Sequence, residues 1–281
     1  MHVALLAERL RVEERQIADA FKARGISSDL IKHESLAVNL NDSADPIADL
    51  VLDRAVTTRD TSSLLTLLGS NNAMIINRPA TSRLLADRMA LMRHLIIAGL
   101  PVPHTRIAFG EESALEAIGE LGYPVVIKTL DVRPGFPSAF VDDRDSAEAI
   151  VEHRNVLGHD HTTLIQGFQR SVNDRSLRAV VIGSEVVAFD ARPHDGWRPN
   201  PTGNYVNADH IGDDVKALAE TVIAKVGTGV YAVLIIETEQ GPIVTGLENL
   251  VTFRHLVEQD IDPAELIVEF SLSQASIAHS R

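Results

Sequence analysis

Lys128 ends an apolar run, Val125-Val126-Ile127, that follows a tight turn at Gly122-Tyr123-Pro124. An amine at the end of a buried strand is costly unless something anionic meets it. A nucleotide phosphate is one such partner; the other reading is a lysine that extends its ammonium to water. The rest of the chain narrows the chemistry by exclusion. There is no cysteine, which removes disulfides, thiolate metal sites and a thiol nucleophile. No P-loop is present and no Gly-x-Gly-x-x-Gly follows a strand, so the common nucleotide loops are missing. A Gly-x-Ser-x-Gly elbow is also absent. The 11 histidines lack His-x-x-x-His and His-Glu-x-x-His spacing, and His159 and His161 fall in a loop, where solvation is the simpler reading than metal binding.

The elements that must position Lys128 follow from periodicity. Val3–Leu6, Leu50–Leu52 and Ala73–Ile76 are short apolar runs separated by helical stretches, the pattern of a parallel α/β layer. Asn77-Arg78-Pro79 then breaks the rhythm, and a helix is expected over about 82–98, ending at Gly99. Strands at Thr105–Phe109, Val125–Lys128 and Ser138–Val141 alternate with two helices to form a small helix–strand–strand–helix module. Thr162–Gln166, Leu177–Ile182 and Glu185–Asp190 read as strands, the last two as a hairpin across Gly183-Ser184. A polar loop is expected from Arg192 to His210. The helix over 213–226 carries Val215, Leu218, Ala219, Val222, Ile223 and Val226 on one stripe. Strands at Val230–Ile236 and Pro242–Leu247 and a helix from Pro263 complete the chain. Three units result: residues 1–85, 86–165 and 166–281.

The chain has 281 residues, 45% hydrophobic and 23% charged, with a net charge of -13. That length supports several cores, and the acidic balance disfavours nucleic acid or an anionic membrane as a general partner. No signal-peptide pattern and no run of about 18 apolar residues is present, so a cytoplasmic protein is the simplest reading.

Beyond these local readings, an ordered set of short motifs spans the chain: Leu52-Asp53-Arg54 with Arg59, Asn77-Arg78-Pro79, Asp87-Arg88, Ala98-Gly99-Leu100-Pro101-Val102-Pro103, Gly122-Tyr123-Pro124-Val125-Val126-Ile127-Lys128, Ile165-Gln166, Leu177-Arg178, Ile182-Gly183, Arg192, Trp197 and Asn200. In order and spacing this set resembles the LysX- and RimK-type carboxylate–amine ligases of the ATP-grasp superfamily. The resemblance implies an α/β (α+β) ATP-grasp fold, with an N-terminal Rossmann-like domain followed by central and C-terminal ATP-grasp domains. It also implies a reaction. ATP phosphorylates a substrate carboxylate, and an amine displaces phosphate from the acylphosphate, with Mg²⁺ between the phosphates; this is catalysis by positioning and charge neutralisation. The implied partners are an amino acid and a small acidic carrier protein, with a homo-oligomer or pairing with a homologous ligase.

The same resemblance distributes roles. Lys128 matches the second phosphate-binding lysine, and Arg88 stands at the first, keeping the charge but not the ammonium's shape. Gln166, Phe168, Gln169 and Ser176 fall at nucleotide-contacting positions. Arg178 and Arg192 fall at catalytic positions, and Arg54, Arg59, Trp197 and Asn200 at positions lining the substrate, where an arginine cluster would suit a carboxylate. Surface arginines in solvated loops are the alternative reading for that group. Three departures stand out. The loop Asp131–Pro137 should be glycine-rich but carries two prolines, which lack N–H groups. Leu234 and Gly246 occupy the positions of two acidic metal ligands, and Glu248 that of an asparagine; with the register slid, Glu248 and Asn249 become the candidate metal ligands. Leucine cannot coordinate Mg²⁺, which takes oxygen ligands. Two functional expectations follow: a ligase with an altered site, or a paralogue that has lost ligation and serves a catalytic homologue as a binding or regulatory subunit.

Overall fold

The computed structural model describes residues 1–41, 46–56, 58–130, 138–157, 162–200, 204–253, 256 and 261–279. The Asp131–Pro137 loop, His159 and His161 lie outside the described residues.

Four parallel strands, β1 (His2–Leu6), β2 (Ser27–Ile31), β3 (Leu50–Asp53) and β4 (Met74–Ile76), form the first sheet in the order β2-β1-β3-β4. Alternation along β1 sends its side chains to opposite faces. Val3 and Leu5 pack with Ile17 and Phe21 of α1 (Val12–Ala23) and with the C-terminal helix. Ala4 and Leu6 pack with Leu65 and Leu68 of α2 (Arg59–Ser70). Both faces are therefore covered, as a parallel sheet requires. Edge strand β2 escapes the hydrophobic pattern because its residues are mostly exposed.

The helix expected over 82–98 is two helices, α3 (Pro79–Ala86) and α4 (Arg88–Ile97). Asp87 divides them: its carboxylate accepts N–H bonds from Met89 and Ala90 at 2.9 and 3.0 Å and so caps the second.

The second sheet is antiparallel, in the order β5-β8-β6-β7, from β5 (Thr105–Ala108), β6 (Val125–Lys128), β7 (Ala139–Val141) and β8 (Thr163–Gly167). Helices α5 (Glu111–Leu121) and α6 (Arg144–Leu157) cover one face, where Ala114, Ile118, Ala147 and Val151 meet Val125, Ile127 and Ile165. The period of two leaves Val126, Lys128, Leu164 and Gln166 on the opposite face.

The third sheet runs β11-β10-β9-β13-β14, with β12 also on β10: β9 (Arg175–Gly183), β10 (Glu185–Asp195), β11 (Arg198–Pro199), β12 (Asn204–Val206), β13 (Gly229–Thr238) and β14 (Gly241–Glu248). The expected β9–β10 hairpin forms, with Gly183 at φ 70° in the turn. The stretch from Arg192 onward is less loop-like than its polarity suggests, since β10 continues to Asp195 and pairs with β11 and β12. Helix α7 (Asp213–Val226) lays Val215, Leu218 and Val222 on Ala179, Val181 and Val233. On the other face α8 (Pro263–His279) places Ile267 and Val268 against Val180, Ile182, Val230 and Ala232. Farther along, that second face turns polar and carries Ser176, Arg178, Asp190 and Arg192 with Leu234 and Gly246. Among the described residues no helix is long and apolar enough to cross a membrane.

Candidate active site

The bare face of the second sheet and the polar end of the third enclose a cleft of about 490 Å³, within the range of small-molecule sites. One part is apolar, lined by Met92, Val126, Leu164, Leu234, Ile236 and Leu247. Gln166, Gly167, Phe168 and Gln169 border it where the chain leaves β8. The Gln166 side-chain amide donates to Thr105 Oγ1 at 3.1 Å and is fixed by that bond.

Cations stand at the other part. Lys128 lines the cleft, and burial together with the neighbouring Arg88 lowers its pKa to about 8. Arg88 also lines the cleft, with its guanidinium donating to the Thr129 carbonyl at 2.8 Å. Ser176 and Glu248 complete the wall, with Trp197 beside them. The Trp197 ring stacks on Phe140 (5.7 Å between centroids), and Phe140 meets Phe168 edge-on at 5.1 Å. Arg198 lies 4.6 Å over the Trp197 ring and donates to the Ser138 carbonyl. These contacts tie the tip of β10–β11 to β7 across the cleft.

Sequence reasoning missed His194, whose Nε2 lies 2.8 Å from Ser176 Oγ in the cleft wall. Burial pushes its imidazole below the usual range. The signal was available: with β10 extended past Asp190, Arg192 and His194 share one face by the period of two.

Other expected site residues lie elsewhere. Arg54 was expected to line the substrate region, but its side chain is fully buried. It donates to Glu14 at 3.1 Å and to the Val251 carbonyl at 2.8 Å, joining the first sheet to the C-terminal unit. The reason is its position directly after β3, inside the interface between those layers. Arg59 begins α2 on the exposed side, and Asn200 is exposed and outside the cleft. Arg178, expected at a catalytic position, is 1% exposed. Its Nε donates to Asp190 at 2.7 Å and its Nη2 to the Thr252 carbonyl at 2.7 Å. Arg192 stands beside it and bonds Glu248 at 3.3 Å.

The implied metal ions find no fitting donor set. Leu234 and Gly246 are cross-strand neighbours, and a Cβ on Gly246 would sit 3.7 Å from Leu234 Cδ1. The leucine is thus in ordinary packing distance of a side chain at 246, and neither residue's side chain carries an oxygen. Among the described residues Glu248 is the one carboxylate lining the cleft, and it faces Arg192 at 3.3 Å and Arg178 at 3.9 Å. Asn249 borders the cleft, but its amide nitrogen donates to Asp53 at 3.3 Å and to the Ala55 carbonyl at 3.2 Å. Glu237 is engaged with Arg175 at 3.2 Å, away from Leu234. No group of three or more His, Asp or Glu that could hold a metal occurs among the described residues.

Asp53 gives this region a pH signature. Burial raises its pKa to about 6 against bonds from Ala55, Asn249 and Ser82. A carboxyl raised in the folded state contributes stability that is present below its unfolded pKa of about 4 and is lost as pH rises through 6. The difference in unfolding free energy between wild type and Asp53→Asn is therefore expected to change between pH 4 and 6 and to level off above 7. Urea melts across that range check it, and a flat difference would mean that Asp53 titrates as in water.

Comparison with known proteins agrees with this architecture. Residues 3–84 match the model of the LysX preATP-grasp domain, and residues 85–270 that of the RimK-like ATP-grasp domain. A glutamate–LysW ligase, ArgX, of Sulfolobus acidocaldarius is 24% identical over 96% of this chain and 98% of its own length. A probable alpha-L-glutamate ligase of Mannheimia succiniciproducens is 29% identical over 71% of this chain and 68% of its own. Among solved structures, a RimK domain ATP-grasp protein of Sphaerobacter thermophilus is 45% identical, with a TM-score of 0.87 over 97% of this chain and all of that one. A D-alanine–D-alanine ligase of Bacillus anthracis, complexed with ATP, shares the fold at a TM-score of 0.73 and 14% identity. The ATP-grasp architecture expected from the motif order is thus present from end to end, and the chain belongs to the RimK-like ATP-grasp family, with a LysX-type preATP-grasp domain at its N-terminus.

Proposed function

We propose that this protein is an ATP-dependent carboxylate–amine ligase that holds the nucleotide base in the apolar slot beside Gln166–Gln169 and the phosphates against Lys128 and Arg88. The observation that carries the reading is the cleft itself: an apolar slot that ends on two cations in a chain of net charge -13. An apolar enclosure strengthens the attraction between those cations and an anion. The γ-phosphoryl group would pass to a carboxylate oxygen with loss of ADP, and an amine would then attack the acyl carbon and expel phosphate. His194, kept neutral by its burial, stands in the wall as an acceptor for the amine's proton. Relatives named as ligases of glutamate and LysW support a small carrier protein or an amino acid as co-substrate.

A second reading is favoured by one observation. The Leu234–Gly246 pair and the arginine-bound Glu248 remove the carboxylates that would place metal on the phosphates, which suits a nucleotide-binding subunit that does not ligate. Incubation with ATP, glutamate and a LysW-type carrier separates the two. The ligase reading expects ADP release matched by a glutamyl mass increase on the carrier. Binding of ATP without either product would leave the second reading.

A further inference from the structure

We infer that the cleft takes a nucleoside di- or triphosphate on fixed protein cations, without a divalent metal ion. The inference rests on the nucleotide-binding reading above and adds how the phosphate charge is met. Where the family resemblance calls for two carboxylates, the cross-strand neighbours are Leu234 and Gly246, an aliphatic side chain and none. Neither side chain offers an oxygen, and Mg²⁺ is held by oxygen ligands. The remaining carboxylate, Glu248, is spoken for. Arg192 bonds both of its oxygens, at 3.3 and 3.5 Å, and Arg178 approaches to 3.9 Å. A dication placed there would face two guanidinium groups with a single carboxylate between them, a repulsive arrangement in a partly buried site.

The same substitutions leave the cleft suited to an anion by itself. Among the described residues its lining carries Lys128 and Arg88 with Glu248, and Glu248 is paired with Arg192. Lys128 makes no ion pair with any described residue: burial and Arg88 are the two influences on it, and both disfavour its charged form. A phosphate would relieve that imbalance directly, and the two protein cations would neutralise the charge that metal ions neutralise in other phosphoryl-transfer sites. Guanidinium and ammonium groups bind phosphate through charge-assisted hydrogen bonds.

The test is isothermal titration of ADP and ATP into the full-length protein, once with EDTA and once with excess Mg²⁺. Equal dissociation constants, within about twofold, are expected. Tightening by tenfold or more in Mg²⁺, or binding seen with Mg²⁺ alone, would overturn the inference and leave the nucleotide site standing. No heat in either buffer would remove the nucleotide site and the inference with it. The double variant Leu234→Asp, Gly246→Glu, checked for a wild-type circular dichroism spectrum, restores two carboxylates on adjacent strands. Its nucleotide affinity is expected to gain at least tenfold on adding Mg²⁺. A folded double variant as indifferent to Mg²⁺ as the wild type would show that these two positions do not decide metal use.

Discussion

Replacing Arg178 by methionine is expected to lower the melting temperature by on the order of 10 °C. The substitution roughly keeps the side-chain volume and removes the charge. Asp190, fully buried, would lose bonds from Nε and Nη2 at 2.7 and 2.6 Å. The Thr252 carbonyl would lose its donor as well. Arg192, with Nε at 4.0 Å from Asp190, would remain as a longer and weaker ion pair. Removing one partner of a buried pair costs about 3–5 kcal/mol, because the other charge loses its closest compensation. Each kcal/mol shifts the melting temperature of a chain of this size by roughly 2–4 °C. Differential scanning calorimetry measures the shift directly. An unchanged melting temperature with lost turnover would instead make Arg178 a group that acts on substrate.

The second large effect concerns Lys128. Its replacement by alanine is expected to weaken ADP binding between about tenfold and about a hundredfold, the worth of a hydrogen bond to a charged group. A pH dependence accompanies it. With the lysine's pKa at about 8, the ammonium is present below that pH, and wild-type affinity should be level there. Above pH 8 the free protein loses the proton that the bound anion needs, and affinity should fall by about tenfold per unit until the complex itself titrates. The Lys128→Ala variant should lack this slope. Titration of ADP at pH 7, 8, 9 and 10 tests both statements, and parallel curves for the two proteins would separate Lys128 from the phosphates.

The sequence carried the elements with strong periodicity. The stripe of Val215, Leu218 and Val222 marked α7 because one face of that helix meets a sheet and the other meets water. The run Val125–Lys128 marked β6 and its terminal cation because Val125 and Ile127 pack under helices while Val126 lines the apolar part of the cleft. Polar elements were less legible. Strand β2 and the outer half of β10 draw their stability from backbone pairing along a sheet, which leaves no hydrophobic period to read.

For the site, residue identity alone determined that Leu234 and Gly246 cannot supply oxygen ligands, and that Lys128 and Arg88 provide positive charge. Tertiary structure decided which charges are available. Arg54 and Arg178 fall at substrate and catalytic positions in the linear chain, yet each is buried against a carboxylate, Glu14 and Asp190. Glu248 looks like a lone metal ligand until the fold brings Arg192 onto it. His194 enters the wall only because β10 runs on far enough to turn it inward. A side chain's chemistry is local, but its partners come from strands that are distant in sequence and are chosen by sheet register. That is why the sequence yields the family and the missing ligands, and only the folded sheet shows which cations line the cleft.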